Sequence, residues 1–198
     1  MMAPPLKSGR TLAAASLAAL AMALAGCATH DPARPAEPGV KTVRVPVGQP
    51  WLDSGIQARR GDAMRFEASG SWGDDFGMYG PSGNPKVKKN HLGVRAPAFG
   101  LMMKISSSTN SPFFLGSQTN ITATHSGSLM FRSNTSLPTG LRGEMTVLVT
   151  TGPDADGDRL SDYEEVHLWK TDPESVDSNG NGFTDYEESL ARPRPRAP

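Results

Sequence analysis

Residues 64–68 read Met64-Arg-Phe66-Glu-Ala68, with apolar side chains at every second position and charged ones between them. Side chains of a β-strand point alternately to its two faces, so this pattern predicts a strand with one buried face. Further apolar runs follow the same style, separated by Gly, Pro, Asn and Ser clusters: Val43-Arg-Val45-Pro-Val47, Leu101-Met-Met-Lys-Ile105, Leu129-Met-Phe131 and Met145-Thr-Val147-Leu-Val149. Residues 40–151 are therefore predicted to form an all-β, antiparallel β-sandwich.

Two stretches near the C-terminus repeat one spacing of oxygen-bearing side chains. Counted from the first Asp of each, oxygens fall at positions 1, 3, 5, 9 and 12, with a backbone carbonyl at position 7, as in an EF-hand-like calcium loop. We therefore predict two calcium loops within residues 152–190. The predicted ligands are Asp154, Asp156, Asp158, Leu160, Asp162 and Glu165 in the first loop (residues 154–165), and Asp177, Asn179, Asn181, Phe183, Asp185 and Glu188 in the second loop (residues 177–188).

The two loops differ at position 6, where the chain of such a loop turns sharply. The second loop has Gly182 there and the first has Arg159, so the second is expected to fit calcium better. The alternative interpretation is a polar, acidic tail that holds no metal, because Asp, Asn and Gly are common loop residues. The shared ending Asp-Tyr-Glu-Glu in both loops favours calcium.

The N-terminus has the layout of a secretory signal. Basic residues precede an uncharged Ala/Leu-rich run from Thr11 to Ala25, which is too short for a good membrane span. The run ends Leu24-Ala25-Gly26-Cys27, which resembles a bacterial lipobox and implies acylation of Cys27. Residues 1–26 are therefore predicted to be a lipoprotein signal peptide, and residues 27–39 a Pro-rich tether that binds the membrane through acylated Cys27.

Export and lipidation restrict where the protein acts. Ala28 follows the Cys, which by the same resemblance favours the outer membrane of the cell envelope, on either its periplasmic or its surface face. Nucleic acid is not an expected partner of an exported lipoprotein. Cys27 is the only cysteine, so the mature chain forms no internal disulfide.

Charge is divided unevenly along the chain, although the formal net charge is zero. Residues 40–153 hold twelve Lys/Arg against six Asp/Glu, a net charge of +6, and residues 154–190 hold two against twelve, a net charge of −10. Bound calcium would offset part of the acidic excess. Residues 191–198 form an Arg/Pro tail that is predicted to be disordered.

Catalysis is not expected. The four histidines are scattered without metal-ligand spacing, and no Gly-x-Ser-x-Gly motif occurs. Carboxylate pairs are abundant only in the two loops, where a metal would account for them. The sequence therefore predicts a protein that binds a ligand and is not an enzyme.

A family resemblance supports the calcium prediction. The first loop is followed by Trp169-Lys-Thr171-Asp172-Pro173 and then by the second loop. This arrangement resembles the thrombospondin type 3-like calcium repeats of bacterial surface proteins. The resemblance covers about residues 152–190 and implies calcium binding there.

A second resemblance concerns the sandwich. The segments that carry it are Trp51-Leu-Asp53-Ser-Gly55-Ile56, Gly61-Asp62-Ala-Met-Arg-Phe66-Glu-Ala68-Ser-Gly70-Ser-Trp72, Tyr79-Gly80-Pro81, Ala96-Pro97-Ala-Phe99-Gly100 and Gly127-Ser-Leu-Met-Phe131-Arg-Ser-Asn134. Together they are similar to the LecA-like (PA-IL-like) family of bacterial galactose-binding lectins. The resemblance implies a galactose-binding-like jelly roll that binds carbohydrate. The candidate carbohydrate-binding residues are Asp75 in the loop after Trp72, Tyr79 as an aromatic side chain beside a Gly-Pro turn, His91 near the place of a sugar-contacting His in the family, and Asn134 at the place of the family's first ligand pair.

The sandwich departs from that family at the metal. In the family one calcium bridges the sugar to the protein through carboxylate-bearing pairs, whereas the matching positions here are Asn134-Thr135 and the region near Gly140-Leu141. Two hypotheses therefore stay open. The chain is either a calcium-binding envelope lipoprotein with a lectin-like carbohydrate-binding module, or a structural or protein-interaction lipoprotein whose sandwich has lost sugar binding.

Overall fold

Antiparallel strands are the main secondary structure of the computed structural model, which describes residues 39–107, 112–136, 139–193 and 195. The strands are β1 Gly39–Pro46, β2 Leu52–Ala58, β3 Ala63–Asp74, β4 Gly77–Tyr79, β5 Asn84–Lys89, β6 Ala96–Ala98, β7 Leu101–Ile105, β8 Phe113–Phe114, β9 Gln118–Thr122, β10 Gly127–Ser133 and β11 Arg142–Gly152.

The first sheet has the strand order β1-β11-β3-β4, and β9 also pairs with β3. At 12 residues, β3 is long enough to pair with β9 near its beginning and with β4 at its end. The register places Phe66 opposite Val149, both facing the core, and Arg65 opposite Asn120 of β9. Because side chains alternate along a strand, Arg65 and Asn120 lie together on the outer face of this sheet.

The second sheet has the order β2-β10-β7-β8, and β5 and β6 form a separate two-stranded ribbon. Strand β10 pairs antiparallel with β2 on one side and with β7 on the other. The short strand β8, with half-exposed Phe113 and Phe114, forms one edge.

The core lies between the two sheets. Phe66 from the first sheet meets Phe131 from the second edge to face, with ring centroids 6.1 Å apart. Trp72 is fully buried, and its Nε1 donates a hydrogen bond to the carbonyl oxygen of Phe99 at 2.5 Å, so the one polar atom of the indole is satisfied. Burial of each large apolar side chain of this kind stabilises the fold by about 1.5–3 kcal/mol.

The chain after β11 forms three short helical pieces: α1 Asp162–Glu164, a π-helical segment Glu165–Trp169, and α2 Asp185–Ala191. Each of α1 and α2 begins at a hydroxyl N-cap, Ser161 or Thr184, whose side chain accepts a hydrogen bond from the backbone N–H three residues later. Lys170, in the left-handed conformation (φ 63°), ends the π-helical segment.

The structure confirms the all-β, antiparallel sandwich, with strands from Gly39 to Gly152 where the sequence indicates 40–151. The sandwich and the C-terminal segment lie in one compact unit. The predicted signal peptide, Cys27, residues 27–38 of the predicted tether and all of the Arg/Pro tail except residues 191–193 and 195 lie outside the described residues, and Gly39 begins β1. Among the helices of the described residues, none is both long and apolar enough to cross a membrane.

Candidate metal centre

The two acidic loops share one backbone conformation. In the first loop Asp154 accepts hydrogen bonds from the N–H groups of Gly157 (2.9 Å) and Arg159 (3.2 Å). In the second loop the equivalent Asp177 accepts them from Gly180 and Gly182, both at 2.8 Å. Each loop is therefore wrapped around its first aspartate in the same way.

The matching continues at the other oxygen positions. At position 3, Asp156 and Asn179 each accept from the N–H two residues later, and at position 5 Asp158 and Asn181 do the same. At position 9, Asp162 and Asp185 accept from the N–H at position 2 of their own loop. The repeat predicted from spacing is thus a structural repeat.

Position 6 is left-handed in both loops, with φ 88° at Arg159 and φ 91° at Gly182. An L side chain adopts this conformation at a cost, which Gly avoids. The difference between Arg159 and Gly182, for which the second loop was expected to fit calcium better, therefore changes the energy of the turn and not its shape.

The first loop gathers negative charge. Carboxylate oxygens of Asp154, Asp156 and Asp158 all lie within 4.8 Å of one another. Glu165 is fully buried beside them, and Thr171 donates a hydrogen bond to one of its oxygens at 3.3 Å. The other oxygen of Glu165, and one oxygen of Asp156, are buried without a hydrogen-bond partner.

These surroundings raise the proton affinity of the carboxylates. Burial first, and then the charges of Asp156 and Asp158, raise the pKa of Glu165 to about 8. Burial raises the pKa of Asp154 to about 6, opposed by the hydrogen bonds from Gly157 and Arg159. Burial also raises the pKa of Asp158. A set of crowded, buried carboxylates needs a cation to be stable in its charged form.

The second loop is electrostatically different. The N–H of Gly182, with those of Gly180, Asn181 and Asn179, holds the pKa of Asp177 below its usual range. Hydrogen bonds from the side-chain amides of Asn179 (3.0 Å) and Asn181 (2.5 Å) lower the pKa of Glu188. Two carboxamides thus stand where the first loop has carboxylates, and they satisfy the glutamate.

A hydrogen bond joins the loops. Asp158 of the first loop accepts from the N–H of Tyr186 at 2.8 Å, at the first turn of α2. The same carboxylate accepts from the N–H of Leu160. A ligand that fixes Asp158 would therefore also fix the start of α2.

The set of oxygen ligands suits a hard divalent cation. It consists of carboxylate, carboxamide and carbonyl oxygens, without His or Cys, and hard divalent cations prefer such oxygens. One oxygen of Asp156 and one of Glu165 are buried without a partner in the first loop, where the carboxylates of Asp154, Asp156 and Asp158 converge. A cation at that point would satisfy both oxygens. The backbone carbonyls predicted to be metal ligands belong to buried Leu160 and exposed Phe183.

The candidate carbohydrate-binding residues are only partly brought together. Tyr79, His91 and Asn134 line one cavity of about 250 Å³, which we call the Tyr79 cavity. Asp75 does not line it, and instead pairs with Arg142 at 2.5 Å on the surface.

Contacts within the Tyr79 cavity limit what its residues offer. Tyr79 stacks on Phe99 with centroids 5.3 Å apart, so one face of its ring is covered. The side-chain amide of Asn134 donates to the carbonyls of Ala96 and Pro97, both at 3.0 Å, while its Oδ1 is buried without a partner. This oxygen is the free polar group of the cavity.

The sequence did not indicate that Arg65 and Asn120 form part of a polar groove. Alternation places Arg65 on the outer face of β3, where a solvated side chain is expected, yet it is 5% exposed. Residues of α2, which are distant in sequence, line one groove together with Arg65 and Asn120.

A solved structure similar to this chain is described as "EclA N-terminal domain; PllA-like lectin". The two are 17% identical, with a TM-score of 0.45, and the match covers 56% of this chain and 94% of that one. No protein-family model matches the sequence, and no curated protein matches it. The assignment of the sandwich rests on its own two sheets.

Proposed function

We propose that the chain is a lipid-anchored cell-envelope protein that binds calcium through residues 154–188. The observation that supports calcium binding is the convergence of Asp154, Asp156 and Asp158 beside buried Glu165, one of whose oxygens has no hydrogen-bond partner. Affinity in such loops follows the number of charged ligands and the rigidity of the site. The first loop, with five carboxylates, is therefore the stronger of the two proposed sites, and the second loop is the weaker.

Calcium would serve as a structural ligand. The segment carries a net charge of −10, and the hydrogen bond from Tyr186 to Asp158 ties α2 to the first loop. Neutralising that charge would hold α2 against the outer face of the first sheet. The role proposed for the loops is binding, and no catalytic step is proposed.

The test is calorimetric titration of the chelator-treated, full-length chain with calcium. We expect binding that Asp154→Asn with Asp156→Asn weakens at least tenfold, because two of the convergent charges are lost. Glu144→Gln, which removes an exposed carboxylate from β11, serves as the matched control and should leave the titration unchanged. Equal titrations of the double variant and the wild type would refute the proposal.

Carbohydrate binding is a second candidate, favoured by the Tyr79 cavity and the free Oδ1 of Asn134 inside it. A glycan array, run with calcium and again with chelator, tests it. Binding that His91→Ala removes and that His125→Ala, a histidine outside the cavity, leaves intact would support the lectin-like function. No binding to any glycan would favour the alternative, an envelope protein whose sandwich has lost sugar binding.

The proposed location in the outer membrane depends on Cys27. Incorporation of labelled palmitate and recovery in the outer-membrane fraction should both be lost in Cys27→Ser. A Cys27→Ser chain that still fractionates with the membrane would contradict lipid anchoring.

A further inference from the structure

A groove of about 510 Å³ lies between the outer face of the first sheet and the C-terminal helix. We call it the Arg65 groove. Strands β3 and β9 form its floor, where Arg65 and Asn120 are directly opposite each other. Its lining includes Arg65, Glu67 and Asn120 from the sheet, and Tyr186, Ser189 and Arg192 from the C-terminal helix and the residue after it.

Three polar atoms on the floor of the groove are buried without a hydrogen-bond partner. They are Nη1 of Arg65 and both Nδ2 and Oδ1 of Asn120. Arg65 is only 5% exposed, and its Nε donates to Glu67 at 2.9 Å, so this ion pair leaves Nη1 free. Buried polar groups in native proteins are almost always satisfied, and three orphans side by side indicate that a polar ligand belongs there.

The orphans specify the chemistry of that ligand. Nη1 of Arg65 and Nδ2 of Asn120 are two donors on residues directly opposite each other, one of them on a guanidinium, which matches the two oxygens of a carboxylate. Oδ1 of Asn120 is an acceptor and needs a donor such as a hydroxyl. A ligand that satisfies all three atoms therefore carries a carboxylate with hydroxyl groups close by.

Charge and size agree with this assignment. Among the named lining residues two are guanidinium groups, Arg65 and Arg192, against the single carboxylate of Glu67. Arg192 is largely exposed at the rim and shares its charge with Glu188 at 3.2 Å. The volume falls within the range of small-molecule sites and admits a monosaccharide.

We propose that the Arg65 groove binds a polyhydroxylated carboxylate, the chemistry of a uronic acid residue. The Tyr79 cavity has neither Arg65 nor Asn120 in its lining, so this is a separate site from the carbohydrate cavity considered above. Helix α2 forms one wall of the groove. Because the proposed calcium binding would hold α2 in place, calcium is kept present in the test.

The experiment titrates the full-length chain, in detergent and saturating calcium, with D-glucuronate and separately with D-glucose. Glucuronate should bind at least tenfold more tightly than glucose. Asn120→Asp, which is nearly isosteric, should weaken glucuronate binding at least tenfold because a carboxylate replaces a donor amide. Its melting temperature without ligand should be equal or higher, since the new carboxylate faces Arg65 across the strands.

One control variant and one diagnostic variant separate this site from others. Arg44→Gln removes an exposed arginine from β1 of the same sheet and should leave glucuronate binding unchanged. Loss of glucuronate binding in His91→Ala would place the sugar in the Tyr79 cavity and overturn the proposal. Glucuronate that binds no better than glucose, or that binds Asn120→Asp as well as wild type, would overturn the proposal. Absence of binding by either sugar would overturn it as well, with water then satisfying the three orphans.

Discussion

The first and second loops have the same backbone hydrogen bonds and differ in what surrounds them. The first loop places carboxylates at positions 3 and 5, and its closing Glu165 is fully buried. The second has Asn179 and Asn181 at those positions, and their amides donate to Glu188. The first loop thus leaves buried carboxylate oxygens without hydrogen-bond partners, while side chains of the second loop satisfy its glutamate. Identical backbone geometry does not imply equal demand for metal.

The largest expected difference concerns the closing glutamates. Glu165→Gln should lower calcium affinity on the order of 100-fold, because a charge in a buried site interacts strongly with the ion. Glu188→Gln should lower it about tenfold or less, since this half-buried charge is more screened than that of fully buried Glu165. Calorimetric titration of both variants measures this. Equal losses would show that burial does not distinguish the loops.

The second difference is in the response to pH. Calcium must displace protons from Glu165 and Asp154, whose pKa values are raised to about 8 and about 6, so binding by the first loop should weaken as pH falls from 8 to 6. Lowered pKa values keep Asp177 and Glu188 ionised over this range, so the second loop should respond little. Titrations at pH 6, 7 and 8 of variants that retain one loop test this. A parallel decline in both loops would contradict it.

Without calcium the sign is opposite for stability. A carboxyl whose pKa is raised on folding favours the folded state when it is protonated. The contribution of Glu165 is therefore lost as pH rises from its ordinary value of 4.5 to about 8. The chelated protein should melt at a lower temperature at pH 8 than at pH 6, and Glu165→Gln should reduce that difference. An unchanged difference in the variant would assign the pH effect to other groups.

The smallest difference is in the turn at position 6. Gly182→Ala should cost about 1 kcal/mol in the free energy of unfolding, because a side chain is placed at φ 91° in open space. Arg159→Ala should cost only about 0.5 kcal/mol, since its backbone is already left-handed and only the contact of its guanidinium with the Tyr186 ring, 5.9 Å from the centroid, is lost. Urea unfolding at fixed calcium compares them. A larger loss for Arg159→Ala would mean that this contact, and not the turn, sets the stability of the first loop.

Local pattern predicted much of the fold. Alternation at residues 64–68 identified β3, and Trp72 eight residues after Met64 points into the same core, as the period of two requires. The oxygen spacing predicted both loops, because each is a short segment whose backbone bonds to its own side chains. Such features depend on neighbours in sequence and can be inferred without the tertiary structure.

The candidate carbohydrate residues show where this inference ends. Tyr79, His91 and Asn134 line one cavity. Asp75 lies in the turn between β3 and β4, close to Tyr79 in sequence, but it forms an ion pair with Arg142 instead. The side-chain amide of Asn134 donates hydrogen bonds to the carbonyls of Ala96 and Pro97, which are 38 and 37 residues away in sequence. No local pattern contains these partners.

By itself, the sequence determined the two oxygen-bearing loops and five of the strands, β1, β3, β7, β10 and β11, since these follow from periodic spacing along the chain. The burial of Glu165 and Arg65, and the amide hydrogen bonds that satisfy Glu188, were decided only by the tertiary structure. The reason is physical: ligand type is a property of a residue, whereas desolvation and partnering are properties of its surroundings.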